Sequence, residues 1–227
     1  MMYFPVVEAF KSLQGEGPSA GHPAFFLRVK RCNYSGKCPV GCDTIPRTKY
    51  LAELHIPYGS VAEYAWECGR LIITGGEPLL YLDQVVDLLQ YLDNEFFHSR
   101  FPVEIETNGY NLPLFFEKMP CYNSLILQIN YSPKEYEAIS TSLLLEECDL
   151  SKVDKLVLKI VVWNDQKVLE FVEDMVKSDF KDKIWLMPRG KTVEELEKNW
   201  PVAIDLALEY NLKVTGRMQI EAKQSML

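Results

Sequence analysis

The chain has 227 residues, of which 48% are hydrophobic and 25% charged, a globular balance that excludes wholesale disorder and fibrous repeats. Thirty-two acids against 24 bases give a formal charge of -8, which disfavours nucleic acid as a standing partner unless the bases cluster locally, and favours a small-molecule substrate. No apolar run approaches the roughly 20 residues that span a bilayer, and "MMYFPVVEAF" lacks the basic flank and apolar core of a signal peptide, so a cytoplasmic protein with no membrane partner is expected.

In chain order, residues 1–23 read as an N-terminal extension, in which "VVEAFKSLQGEGPSAG" supplies an added strand and a Gly-rich turn. β-branched and aromatic runs of strand length follow at 24–30, 70–76, 103–109, 125–132, 155–162, 183–190 and 213–220. Helical spacing is seen at 81–97, with Val85, Leu88, Leu89 and Leu92 on one stripe, and at 166–179, with Val168, Leu169, Val172 and Met175 likewise. A third helix at 192–211 contains Pro201 and should break or kink there. Near-continuous apolar strands alternating with helices predict one α/β domain over 1–227, with a mainly parallel sheet and an open or closed β/α barrel. Chemistry in such folds sits where the strands end.

The first barrel strand ends in "RCNYSGKCPVGCDT", which holds Cys32, Cys38 and Cys42 in a loop spanning 32–44. In a reducing compartment such clustering means metal or catalysis more often than disulfides. Three readings stand side by side: small buried hydrophobes, in a window unusually polar for core; a structural zinc, with His55 as a fourth ligand; and an iron-sulfur cluster, in which three thiolates leave one iron open to a small molecule. Cys68, Cys121 and Cys148 are scattered and read as packing residues. Other strand ends carry polar motifs. "ITGGEP" offers two glycines for close backbone approach and Glu77 as an acceptor, "IETNG" offers Glu106 and Asn108, and "YSPK" offers Ser132 and Lys134. Each alone fits a turn as well as a site; their coincidence at successive strand ends favours a site.

Taken together, "SLQGEG" (12–17), "FFLRV" (25–29), "CDT" (42–44), "TGGEP" (74–78), "ETNG" (106–109), "SPK" (132–134), "LKIVV" (158–162) and "LMP" (186–188) resemble the radical S-adenosylmethionine superfamily, and within it the 7-carboxy-7-deazaguanine synthases. The resemblance implies an open, partial β/α barrel of the radical S-adenosylmethionine type. It also implies a [4Fe-4S] cluster on Cys32, Cys38 and Cys42, whose open iron chelates the amino and carboxylate groups of S-adenosylmethionine. Reductive cleavage would give a 5'-deoxyadenosyl radical that takes hydrogen from C6 of 6-carboxy-5,6,7,8-tetrahydropterin. Ring contraction and loss of ammonia would yield 7-carboxy-7-deazaguanine, a queuosine precursor, with the cofactor regenerated.

By the same resemblance Gly41, Asp43, Gly76, Ser132, Pro133 and Lys134 would contact the cofactor, and Thr44 would ligate Mg2+. Leu13, Gln14, Gly15 and Thr74 would meet the pterin, and Arg28 would pair with its carboxylate as a planar double donor. An external reductant such as flavodoxin and a homodimer are implied as partners. The cysteine spacing departs from the widespread pattern of three and then two intervening residues: here it is five and then three, so one residue must bulge between Cys38 and Cys42, where Pro39 and Gly41 stand. The family's His-Lys pair near the end is Ala222-Lys223 here, and the terminal carboxylate of Leu227 is a candidate replacement contact. Two rivals remain: an activase that takes hydrogen from a glycine on a partner protein, and a non-enzymatic zinc or iron-sulfur module.

Overall fold

The structure is a computed structural model and describes residues 2–34, 37–42 and 48–222. Ten strands form: β1 (Tyr3–Val6), β2 (Glu8–Leu13), β3 (Pro23–Val29), β4 (Leu54–Pro57), β5 (Leu71–Gly75), β6 (Phe101–Thr107), β7 (Leu125–Tyr131), β8 (Lys155–Val162), β9 (Ile184–Pro188) and β10 (Lys213–Val214). β1 and β4 make a small antiparallel pair of their own. The other eight form one sheet in the order β10-β9-β8-β7-β6-β5-β3-β2, parallel throughout except for the β2–β3 pair. β10 and β2 are the edges of this sheet, so of the open and closed forms that the alternation allows the barrel takes the open one, as the resemblance implies.

Parallel neighbours need crossovers, and helices supply most of them. They are α1 (Tyr58–Cys68), α2 (Leu82–Glu95), α3 (Leu112–Lys118), α4 (Ala138–Glu146), α5 (Gln166–Val176) and α6 (Val193–Tyr210), with a one-turn α7 (Met218–Glu221) after β10. α2 buries Leu82, Val85, Leu88, Leu89 and Leu92, and α5 buries Val168, Phe171, Val172 and Met175. Both stripes fall at helical spacing and join Leu27, Ile73, Ile105, Leu127, Leu158 and Ile160 in the main core on the outer face of the sheet. Asp165 caps α5 by accepting from the amides of Lys167 and Val168, and Thr192 caps α6 by accepting from that of Glu195.

Because side chains alternate along a strand, the residues between these core positions face the barrel interior. On β2, β3 and β5 they are partly apolar: Phe10 and Phe26 stack in parallel 5.2 Å apart, and Phe26 packs with Ala24 and Ile72 in a second cluster. On β6 and β7 they are polar, Glu104 lying opposite Gln128 and Glu106 opposite Asn130.

Three expectations need correction. α6 runs unbroken through Pro201, because Glu197, whose carbonyl loses its donor there, is exposed and water can serve it. The strand expected over 213–220 stops after Val214; Thr215 still donates its amide to Leu186 O, but the chain then turns into α7 to brace the Gly-rich turn after β2. Cys121, read from sequence as a packing residue, is exposed, whereas Cys148 is buried and its thiol is pushed up to about 12 by that burial.

Candidate active site

A cleft of about 720 Å³ opens at the carboxyl ends of the strands. Leu13, Gln14 and Gly15 from the turn after β2, Arg28 from β3 and Thr74 from β5 line it, together with Cys32, Cys38, Gly41 and Cys42 from the loop after β3, Gly76, and Ser132 and Lys134 after β7. Pro133 is buried and does not line the cleft. Asp43, Thr44 and Leu227 lie outside the described residues. His55 sits in β4 opposite Pro5 and does not line the cleft, so it is no fourth ligand for the cysteine loop.

The cysteine loop is anchored at three points. Asn108, at the end of β6, donates its amide to Asn33 Oδ1 at 2.8 Å and approaches Cys32 Sγ at 3.9 Å. Tyr34 Oη donates to Glu135 at 3.2 Å, and Lys191 Nζ donates to the carbonyl of Cys42 at 3.0 Å. The extra residue between Cys38 and Cys42 is absorbed in a tight turn: the Gly41 amide donates to Cys38 O at 3.0 Å, with Gly41 at φ +86, in the region glycine favours. All three cysteines are partly exposed and line one cleft. Among the described residues no three Cys, His, Asp or Glu side chains converge as the ligands of a single ion would.

The two glycines of "ITGGEP" are needed by the protein itself. A Cβ on Gly75, at φ +129, would lie 2.3 Å from Val29 O, and one on Gly76 would lie 2.1 Å from Arg31 O. β5 therefore ends flush against the backbone that leads into the cysteine loop, while Gly76 still faces the cleft. Glu77, expected as a ligand acceptor, turns inward instead. It is fully buried and accepts from the Leu79 amide at 2.9 Å, Thr107 Oγ1 at 2.7 Å and the Asn108 amide at 2.7 Å, locking the end of β5 to that of β6. Burial pushes its carboxyl up to about 7 despite those three donors.

The floor of the cleft is a continuous buried polar network. Glu104 pairs with Arg70 at 2.5 Å and accepts from Asn130 at 3.0 Å, Gln14 at 3.1 Å and Gln128 at 3.3 Å. Glu106 accepts from Gln14 at 3.1 Å, Asn130 at 2.9 Å and Lys159 at 2.7 Å. Lys159 also binds Glu16 at 2.7 Å, whose other oxygen accepts from Arg217 at 2.9 Å and Gln219 at 2.8 Å. Burial alone would lower Lys159, but the charges of Glu106 and Glu16 outweigh it and hold the ammonium above its ordinary range. Burial alone would raise Glu16, yet Lys159 and Arg217 hold its carboxyl well below the carboxylate range. Glu106 is raised, by burial first, with Glu16 and Glu104 adding to it and Lys159 opposing.

Gln14 lines the cleft, but its amide is engaged on both sides: Nε2 bridges Glu104 and Glu106, and Oε1 accepts from the Gly15 amide at 2.9 Å. A Cβ on Gly15 would lie 1.8 Å from Gln219 Oε1, so a side chain there would displace that glutamine from Glu16. Arg28 is buried, 4% exposed, with Nε 2.7 Å from Glu8 across the β2–β3 pair and its guanidinium over the Phe10 ring.

Seven bases line the cleft (Arg28, Lys134, Lys159, Arg189, Lys191, Lys198 and Arg217) against three acids (Glu16, Glu106 and Glu195). A chain of formal charge -8 thus keeps a basic cleft, which draws in anions. Sequence reading did not single out Lys159, Arg189, Lys191 or Arg217. Lys159 did leave a signal, as the one charge inside "LVLKIVV". So did the interior polar residues, spaced by two in β6 and β7.

No family model matches the chain. Among curated proteins it is similar to the 7-carboxy-7-deazaguanine synthase of Hyperthermus butylicus, 30% identical over 95% of this chain and 91% of that one. The synthase of the same name from Methanospirillum hungatei is 30% identical over 89% and 82%, and that of Prochlorococcus marinus 29% over 96% and 88%. Among solved structures, QueE from Escherichia coli superposes with a TM-score of 0.63 at 20% identity, covering 95% of this chain and 94% of that one, which supports the fold. Identity at this level, sustained along nearly the whole of each sequence, places the chain in the 7-carboxy-7-deazaguanine synthase family of enzymes.

Proposed function

We propose that the chain converts 6-carboxy-5,6,7,8-tetrahydropterin to 7-carboxy-7-deazaguanine as a radical S-adenosylmethionine enzyme of queuosine-precursor biosynthesis. The observation that carries this reading is that three cysteines and a buried arginine line one basic cleft at the strand ends. Substrate and product differ by one ammonia, so the conversion consumes no net oxidant, in keeping with a cofactor used catalytically.

Cys32, Cys38 and Cys42 would hold the [4Fe-4S] cluster, which when bound supplies an open iron for S-adenosylmethionine and the electron that cleaves its sulfonium. Gly76, Gly41, Ser132 and Lys134 line the same end of the cleft and would contact the cofactor; Lys134 Nζ already donates to Ser132 Oγ at 2.7 Å, fixing that pair. Arg28 would receive the substrate carboxylate. Its burial strengthens the charge interaction, and the Glu8 contact and the Phe10 ring hold the guanidinium in place. Leu13, Gly15 and Thr74 would flank the ring system, with Gln14 acting through the floor it braces. Mg2+ at Thr44, an external reductant such as flavodoxin, and a homodimer belong to the same reading.

Anaerobic reconstitution with metal and sulfide analysis, followed by incubation with S-adenosylmethionine, reductant, magnesium and the carboxypterin, tests it. A deazapurine and ammonia in equal amounts are expected. Bound zinc without acid-labile sulfide would overturn the radical assignment, and accumulation of 5'-deoxyadenosine alone would overturn the substrate.

A further inference from the structure

We propose that Lys159 is the positioning residue that keeps Glu16 and Glu106 ionised together, as one acceptor wall for the N–H edge of the substrate's pyrimidinone ring. The proposal rests on the substrate reading above and adds to it the means by which that edge is recognised.

Lys159 Nζ lies 2.7 Å from Glu16 Oε2 and 2.7 Å from Glu106 Oε2, so the two oxygens are no more than twice that distance apart. Without a cation between them, two carboxylates so close would share a proton. The groups facing the pair come from five places. Arg217 and Gln219 bind Glu16; Gln14 and Asn130 bind Glu106; Glu104, two residues along β6, is neutralised by Arg70. Three buried acids thus stand against three bases, and Lys159 is the base that binds both Glu16 and Glu106.

A lysine in the middle of an apolar strand, 4% exposed, is a poor choice for packing alone. A pterin ring presents an amide N–H and an exocyclic amine side by side, both donors, and ionised carboxylates accept only. A wall carrying a shared proton would offer a donor where an acceptor is needed.

The test is calorimetric binding of the product, 7-carboxy-7-deazaguanine, to cluster-loaded protein with S-adenosylmethionine, from about pH 6 to about pH 8.5. Wild type and Lys159→Arg are expected to bind within about threefold of each other and with little pH dependence, the cation opposing the rise that burial imposes on Glu106. Lys159→Met should bind at least ~10-fold more weakly at the acid end and recover as the shared proton leaves at higher pH. The double variant Lys159→Met with Glu106→Gln should again be flat with pH, because the remaining Glu16 stays ionised beside Arg217. Wild-type-like, pH-independent binding by Lys159→Met would overturn the proposal. If Lys159→Met alone fails to fold, folding of the double variant supports the charge balance and its misfolding overturns it. A wild-type protein that binds no product removes the substrate reading and this proposal with it, a result distinct from a normal wild type with an unaffected variant.

Discussion

The floor of the cleft and its mouth are built in opposite ways. On the floor, Glu16, Glu104 and Glu106 each have a basic partner within 3 Å and further amide donors, all carried by strands or by a turn braced from α7. At the mouth, the cysteine loop is tied by a few contacts that are mostly exposed. The contrast teaches where preorganisation lies: the floor is held by buried partners of opposite charge, whereas the described part of the cysteine loop is held by exposed contacts and, on the function proposed above, would be completed by the cluster. A buried charge network tolerates no missing member, while a solvated loop can wait for its ligand.

The sharpest way to test the contrast is to remove the mouth. Replacing Cys32, Cys38 or Cys42 by Ala should abolish cluster assembly, read as loss of acid-labile sulfide and of the brown chromophore, while far-ultraviolet circular dichroism stays unchanged because the loop carries little of the core. Cys121→Ala should leave cluster content untouched, since that thiol is exposed and lines no part of the cleft.

The boundary between mouth and floor is Glu77, and its titration gives the next largest effect. Its folded-state carboxyl stands at about 7 against an ordinary 4.5, so the folded state binds its proton more tightly than the unfolded chain does. Stability from this group is fully present below about pH 4.5 and is lost as pH rises through about 7, by about 3 kcal/mol in all. Unfolding of wild type and Glu77→Gln across that window should show the slope in the first and its loss in the second. An unchanged slope in the variant would mean that another group carries it.

Much of this was legible beforehand for a simple reason. Strand ends with glycine and polar residues announce a cleft, so Cys32, Cys38, Cys42, Gly76 and Ser132 could be placed on it from sequence, whereas Arg28 was placed there only by the family resemblance. What a sequence could not supply was direction. Glu77 reads as a free acceptor, yet its carboxylate is turned toward the Asn108 amide and Thr107. Gln14 reads as a ligand residue, yet its amide is consumed by two glutamates about 90 positions away, a pairing that only the β6 register creates. The tail misled for a related reason: "KVTGRMQI" has strand-like content, but Arg217 and Gln219 gain more by reaching Glu16 than by extending an edge strand.

Within the cleft, Arg28 should separate the two sides. Arg28→Ala is expected to weaken substrate binding by about 2 kcal/mol, ~30-fold, through loss of a charge-assisted double donor. Cluster content and cofactor cleavage without substrate should persist, because Arg28 is anchored on Glu8 and Phe10, away from the cysteine loop. Loss of the cluster in this variant would mean that floor and mouth are one cooperative unit.

The smallest effect belongs to Lys191, the tie from the loop after β9 to the cysteine loop. Its single hydrogen bond to Cys42 O is exposed, and exposed bonds of this kind contribute about 1 kcal/mol or less. Lys191→Ala should therefore leave unfolding midpoint and substrate affinity within error. The same substitution removes a cation beside Cys42 and frees the turn at Gly41, where an added Cβ would lie 3.6 Å from the lysine's Nζ. A faster loss of sulfide on exposure to air, with full loading under anaerobic conditions, is the expected signature. If loading itself fails, the mouth depends on this one surface contact, and the difference between a self-sufficient floor and a ligand-completed mouth is larger than the hydrogen bonds alone imply.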